Sequence, residues 1–285
     1  MFDMQNLPEE PDLGKLTPPQ LTAEYLKWRQ TYRVLVKRAQ RVSHGSGGRY
    51  VEGNRLAYAS ILFTRIFVSA KSVECLLPEC RPKQHWDFSA VASLTRNLAE
   101  AYIWYFWLCE DDVDADVRQG RFILLYCHDN GSRMRLHPES IPQTENPEVM
   151  ADLIARFDAN PFLQTYSEKA RREALKGHKT PFVQDDVIDG MGADRDTFRF
   201  YYRFFSQHTH TGPISFFRMV EHGRGTGVET VHEKSYMIAA IMFACGVVQA
   251  SIEGHLKQFP GAETAKPYLT EGQIIRNVEQ TQGRF

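Results

Sequence analysis

The sequence predicts an all-α protein, a helical bundle with an additional N-terminal helix. Apolar residues recur at helical spacing along most of the 285 residues, and no segment alternates with period two over a useful length. Cap and stop residues bound these periodic segments. Hydrophobic residues make up 42% of the chain and aromatic residues 12%, enough for a sizeable core.

Residues 1–16 read as an extended arm. Thr17-Pro18 is an N-cap followed by Pro at the first helical position, where its missing N–H has no intrahelical partner to lose. That helix runs to about Ser43, and His44-Gly-Ser-Gly-Gly48 reads as a flexible break. A second helix runs from about Asn54 to Leu77 and stops before Pro78. Asp87 caps a third, Phe88 to Glu110. A fourth spans about Val113 to Met134, with Gly120 as its weak point. Pro147 opens a short helix to Asp158, and Asn160-Pro161 caps another to about Lys176. Residues 177–192 form a polar loop. The next helix is Asp194 to His208, ended by Gly212-Pro213. The segment 213–232 reads as a short helix or irregular turns. Glu233 to Phe259 is the last long helix, stopped by Pro260, and the tail adds a short helix near 270–280. The organisation is an arm (1–16), one helical bundle (17–259) and a C-terminal tail (260–285).

Charge and cysteine usage narrow the functional classes. Lys and Arg total 34 against 35 Asp and Glu, a formal net charge of −1. Any nucleic-acid footprint must therefore be a local patch rather than a bulk property. The five cysteines form no C-x-x-C pair, and three lie in apolar helical runs, which reads as reduced thiols. The first nineteen residues lack the apolar segment of a signal peptide. Arg, Glu or Gln interrupts the longest apolar stretches, which reads as a cytoplasmic chain with no membrane partner. There is no G-x-x-x-x-G-K-[ST] loop, no G-x-G-x-x-G and no G-x-S-x-G, so P-loop, Rossmann and α/β-hydrolase chemistries are unsupported.

Two polar clusters stand out. The third helix is apolar almost all round, yet Ser93, Arg96, Asn97 and Glu100 share one face. They form either the wet face at one end of the helix or a polar pocket in the bundle, where Glu100 would pair with Arg96. The second cluster is Arg203-Phe-Phe-Ser-Gln-His208-Thr-His210. Arg199, Arg203, Ser206 and His210 fall at spacings of four, three and four, one face of a continuous helix. His208 then points about 140° away from Arg203 and serves as its partner only if the last turn unwinds. Arg binds anionic oxygens as a planar fork, and His moves protons near neutral pH, a pairing that suits phosphodiester chemistry. Histidines at a helix C-terminus are also favoured by the macrodipole with no catalytic purpose.

Arg96-Asn-Leu-Ala-Glu100 followed by Ser206-Gln-His-Thr-His210 resembles a bacterial and archaeal family of uncharacterised helical proteins with an early Arg-x-x-x-Glu and a late Ser-x-x-x-His. The second element also resembles the Arg-x(4–6)-His motif of HEPN domains, with Arg203 and either His208 or His210. That resemblance, covering about residues 54–258, implies a helical and often dimeric protein acting as a metal-independent ribonuclease in antiviral defence or RNA processing. It implies His210 or His208 as general acid–base, Arg203 on the phosphate, Ser206 as an orienting group, Asn97 and Arg199 as substrate contacts, and Arg96 with Glu100 as either a further substrate contact or a supporting pair behind the site. Phe204 departs from the polar residue that often follows the HEPN arginine. The alternative is a non-enzymatic helical module that binds a partner protein or an anionic ligand.

Other constellations are weaker. His208 and His210 offer two metal ligands with Glu100 or Glu221 as a third, and Glu229-Thr-Val-His232 is a single Glu-x-x-His where a helical di-iron site needs two. No metal or cofactor is expected. Arg29, Arg33, Lys37 and Arg41 form a basic stripe near Tyr25, Trp28 and Tyr32, and Lys169, Arg171, Arg172, Lys176 and Lys179 form a second cluster. Both are read either as solvated faces or as tracks for a nucleic-acid backbone.

Overall fold

The computed structural model describes residues 7–49, 51–136, 145–220 and 227–266. Among these residues there are ten α-helices and no strand, so the fold is all-α. In order they are α1 (Pro18–Ser46), α2 (Gly53–Leu76), α3 (Phe88–Tyr105), α4 (Ala115–Leu136), α5 (Glu145–Ala159), α6 (Glu168–Lys176), α7 (Gln184–Gly190), α8 (Arg195–Thr209), α9 (Pro213–Val220) and α10 (Val231–Gln258). They divide into two compact units. One comprises Met1–Cys109 with Ile188–Phe285, and the other Glu110–Val187.

In the first unit α10 is the central helix, packed by α1, α2 and α3, while α8 lies on α3 and α9 on α8. Its side chains are buried almost continuously from Met237 to Val248, which is why it is apolar all round. By length and composition alone both α2 and α10 could cross a bilayer, although Arg65 and Lys71 fall within α2 and Gln249 within α10. In α10, 78% of that window is buried inside the protein, as expected of a core helix.

The N-terminal helix starts where the sequence places it, with Gln20 accepting from the Thr17 N–H at 2.8 Å. It does not break at His44. The helix continues through Ser46 because Gly45 is buried, and a Cβ there would stand 1.8 Å from the carbonyl oxygen of Ala262. The glycine serves close backbone approach, not flexibility. Tyr25 and Tyr32 pin α1 to its neighbours by donating to the carbonyls of Pro78 (2.6 Å) and Ala70 (3.0 Å).

A polar chain crosses this core. Gln258 donates to the Tyr105 hydroxyl at 3.2 Å, which lies 3.2 Å from His255 Nδ1. His255 Nε2 lies 2.9 Å from Ser46 Oγ, and Ser46 donates onward to the Val42 carbonyl at 3.0 Å. Because the serine's one proton is directed to that carbonyl, the chain assigns the imidazole proton to Nε2 and makes Nδ1 the acceptor from Tyr105. The ring is fully buried and stacked on Phe63 at 4.0 Å. Burial, with a smaller contribution from the Arg49 charge, pushes its pKa down to about 3.

In the second unit α4 packs on α5 and α6. The helix expected from Asn160 to Lys176 is divided in two. Asn160 accepts from the Leu163 N–H at 3.0 Å, where a 3₁₀ turn at Leu163–Thr165 begins, and Ser167 starts α6 by accepting from the Ala170 N–H at 3.2 Å. Gly177 closes α6 in the left-handed region at φ 63°, and a Cβ there would meet the Cys127 carbonyl oxygen at 1.9 Å. The expected polar loop at 177–192 contains α7. The helix expected near 270–280 lies outside the described residues.

Candidate functional site

Arg96 and Ser206, far apart in sequence, meet where α3 crosses α8. The guanidinium donates from Nε to Ser206 Oγ at 2.9 Å, from one terminal nitrogen to Glu100 at 2.9 Å, and from the other to the Tyr202 hydroxyl at 3.0 Å. Its carbon lies 4.9 Å from the Tyr202 ring centroid. Ser206 in turn donates to the Tyr202 carbonyl at 2.9 Å. The Arg96 side chain is 17% exposed and that of Glu100 44%, so the pair runs from the helix interface outward. Burial raises the Tyr202 pKa, Glu100 raises it further, and Arg96 opposes both. A fork with three acceptors on two helices is a cross-brace. Asn97 is half-buried on the same helix.

Helix α8 has two unlike faces. Asp194 caps its start by accepting from the Thr197 N–H at 2.6 Å. Phe198, Phe205 and His208 face inward and are buried. His208 Nδ1 lies 2.9 Å from Ser89 Oγ, and its ring stands edge-on to Phe88 at 4.8 Å and to Phe204 at 5.2 Å. The helix stays regular through Thr209, so His208 keeps to the side away from Arg203. His210 is the C-cap, with φ −99° and ψ 10°, and is exposed. Arg203 is also exposed and makes no ion pair among the described residues. Of the two histidines, only His210 meets solvent.

The outer face of α8, together with α9 and α10, bounds a cleft of about 710 Å³. Arg199, Arg203 and Arg218 line it alongside Phe200, Phe204 and Tyr236. The rings of Phe200 and Phe204 are parallel within 6°, with centroids 6.1 Å apart, and Phe204 stacks on Tyr236 at 5.6 Å. Arg218 donates to the Tyr236 hydroxyl. Phe200 is 63% exposed, and Phe217 on α9 is 62% exposed. Sequence reasoning identified Arg199 and Arg203 but not the rings beside them. The repeated Arg-Phe at 199–200 and 203–204 carried that signal, whereas nothing local joins Arg218 to Tyr236.

The other basic clusters are largely compensated. Arg29, Arg33 and Arg41 pair with Glu79 (3.1 Å), Glu74 (3.6 Å) and Glu263 (3.5 Å). The aromatics near that stripe, Tyr25, Trp28 and Tyr32, are core residues with no exposure and offer no surface for stacking. Arg171 pairs with Asp158 at 2.8 Å, and Lys176 and Lys179 share Glu173 at 3.1 and 3.5 Å. Among the described residues no group of three His, Cys, Asp or Glu side chains could hold a metal ion. Glu221 lies outside the described residues, and Glu229 pairs with Lys234.

No curated protein and no solved structure matches the chain. A family model matches residues 56–226, more than half of the sequence, a range that holds both polar clusters and most of the cleft. The chain belongs to DUF5677, a family of unknown function.

Proposed function

We propose that this is a HEPN-like protein that binds RNA along the outer face of α8 and cleaves it without a metal. The observation that carries the reading is the cleft, where Arg199, Arg203 and Arg218 stand among aromatic rings, with Asp196 as the one carboxylate in its described lining, and where exposed Arg203 makes no ion pair among the described residues. Cations beside exposed rings suit a polymer of phosphates and flat bases. In the cleavage step His210 takes the proton of a ribose 2′-hydroxyl, and that oxygen attacks the adjacent phosphorus. The 5′-oxygen of the next nucleotide leaves with the proton returned by the His210 imidazolium, giving a cyclic phosphate end. Arg203 stabilises the charge that gathers on the non-bridging oxygens.

A second reading is favoured by a specific observation. His208 is buried against Phe88 and Phe204, and Ser206 is engaged by Arg96, so two of the side chains expected at the site already have partners within the fold. On that reading the protein binds RNA or another anion and cleaves nothing. The test is incubation of the purified protein with RNA in EDTA. Cyclic phosphate ends that disappear in His210→Ala support cleavage. Salt-dependent binding with intact RNA selects the second reading, and neither binding nor cleavage overturns both.

A further inference from the structure

Resting on the RNA reading of the same cleft, we infer that its ligand is two consecutive unpaired nucleotides, one for each Arg-Phe pair of α8. Arg199-Phe200 and Arg203-Phe204 repeat at a spacing of four, so both pairs share one face and stand ~6 Å apart along the helix axis. Each pair offers one cation and one ring. All four side chains line the cleft.

The ring geometry is what a base needs. Phe200 and Phe204 are parallel within 6°, with centroids 6.1 Å apart. That separation approaches twice the ~3.4 Å rise between stacked bases along a strand. Phe204 also stacks on Tyr236 at 5.6 Å, whereas Phe200 is 63% exposed and packs edge-on to Tyr201 at 5.3 Å, so the small remaining opening asks movement of Phe200 alone. One base enters between the rings and the next lies on the outer face of Phe200. Their phosphates fall beside Arg203 and Arg199.

Position 207, one turn further on, is Gln rather than Arg, so the repeat ends after two steps. A cleft of about 710 Å³ is within the range that encloses ligands of that size. Paired bases are already stacked on their neighbours and cannot enter, so the site selects single strands. Every base has a π-face, so it is tolerant of sequence.

The test uses the full chain and an eight-nucleotide 2′-O-methyl strand, which cannot be cut by 2′-hydroxyl attack. Comparison probes are its duplex and an abasic strand of the same length. The single strand binds tightest. Phe200→Ala weakens it roughly 5- to 150-fold, the effect of losing one stacked base, and leaves the salt dependence unchanged. Phe200→Trp restores binding. Arg203→Met does the converse and lowers the slope of log K against log salt by about 0.7. Binding that is equal for the abasic strand and indifferent to Phe200→Ala overturns the stacking register while leaving RNA binding intact. No binding of any strand removes the RNA reading itself and points to a protein occupant of the cleft.

Discussion

The sequence leaves Arg96 as either a substrate contact or a supporting pair with Glu100, and its bonds to Ser206 and Tyr202 favour a role in holding α3 against α8. Arg96→Met separates these roles, because Met keeps the apolar stem and removes the fork. Three hydrogen bonds are lost, but they are not equal. The Glu100 side chain is 44% exposed, so its ion pair is screened and contributes at most about 1 kcal/mol. The bonds to Ser206 and Tyr202 lie at the helix interface with a charged donor, each worth about 1.5–3 kcal/mol before the cost of burying the guanidinium is subtracted. Ser206 still donates to the Tyr202 carbonyl, so it is not orphaned, whereas the Tyr202 hydroxyl loses the Arg96 donor. The net loss is about 2–4 kcal/mol, or roughly 4–16 °C in Tm for a protein of this size. Arg96→Lys keeps the charge near Glu100 but not the fork, and should lose about half as much. Urea titration and differential scanning calorimetry give these values. A double-mutant cycle with Ser206→Ala should report a coupling of about 1 kcal/mol. RNA binding, measured well below the unfolding transition, should be unchanged. If Arg96→Met is as stable as the parent yet fails to bind RNA, the cross-brace reading is wrong and Arg96 is a ligand contact.

Other perturbations have signs that follow from the structure. His255 is held neutral in the fold with a pKa of about 3, against ~6.5 in the unfolded chain. Its contribution is therefore complete above pH 6.5 and is lost as pH falls toward 3. Between pH 7 and pH 5 the protein should lose about 2 kcal/mol through this group, a difference absent from His255→Gln in urea titrations at both pH values; parallel profiles would count against it. Gly45→Ala should destabilise by more than about 2 kcal/mol although Ala is the better helix former by ~1 kcal/mol, because its Cβ meets the Ala262 backbone. A variant with a higher melting temperature would show that α1 and the Ala262 segment can separate. His210→Ala should cut RNA cleavage ~10²–10⁴-fold with little change in melting temperature, since the side chain is exposed. His208→Ala should do the reverse, unfolding earlier through loss of its Phe88 and Phe204 contacts. Cleavage that survives His210→Ala but not His208→Ala, at equal stability, would exchange their roles.

Most helix starts and stops are legible in the sequence. Asp87, Asp194 and the Thr17-Pro18 pair sit at helix starts, and Pro260 follows the end of α10, because helix initiation and termination depend on hydrogen bonds within four residues. The same local periodicity distinguishes His208 from His210 on α8, since a helix that stays regular to Thr209 sets their directions. Local order failed where a residue's role is defined by a distant partner. Gly45 resembles a breaker until Ala262 is brought against it, and Asn160 resembles a simple helix cap until its side-chain amide donates to the Asp116 carbonyl, 44 residues away. The basic stripe of α1 resembles a nucleic-acid surface until Glu74, Glu79 and Glu263 arrive from other parts of the chain to pair with Arg29, Arg33 and Arg41. Arg96 and Ser206 lie on different helices, and only the packing of α3 on α8 joins them. Which charges remain for a ligand is thus a property of the packed molecule: electrostatic pairing acts over a few ångströms in space, and the fold alone decides which residues come that close.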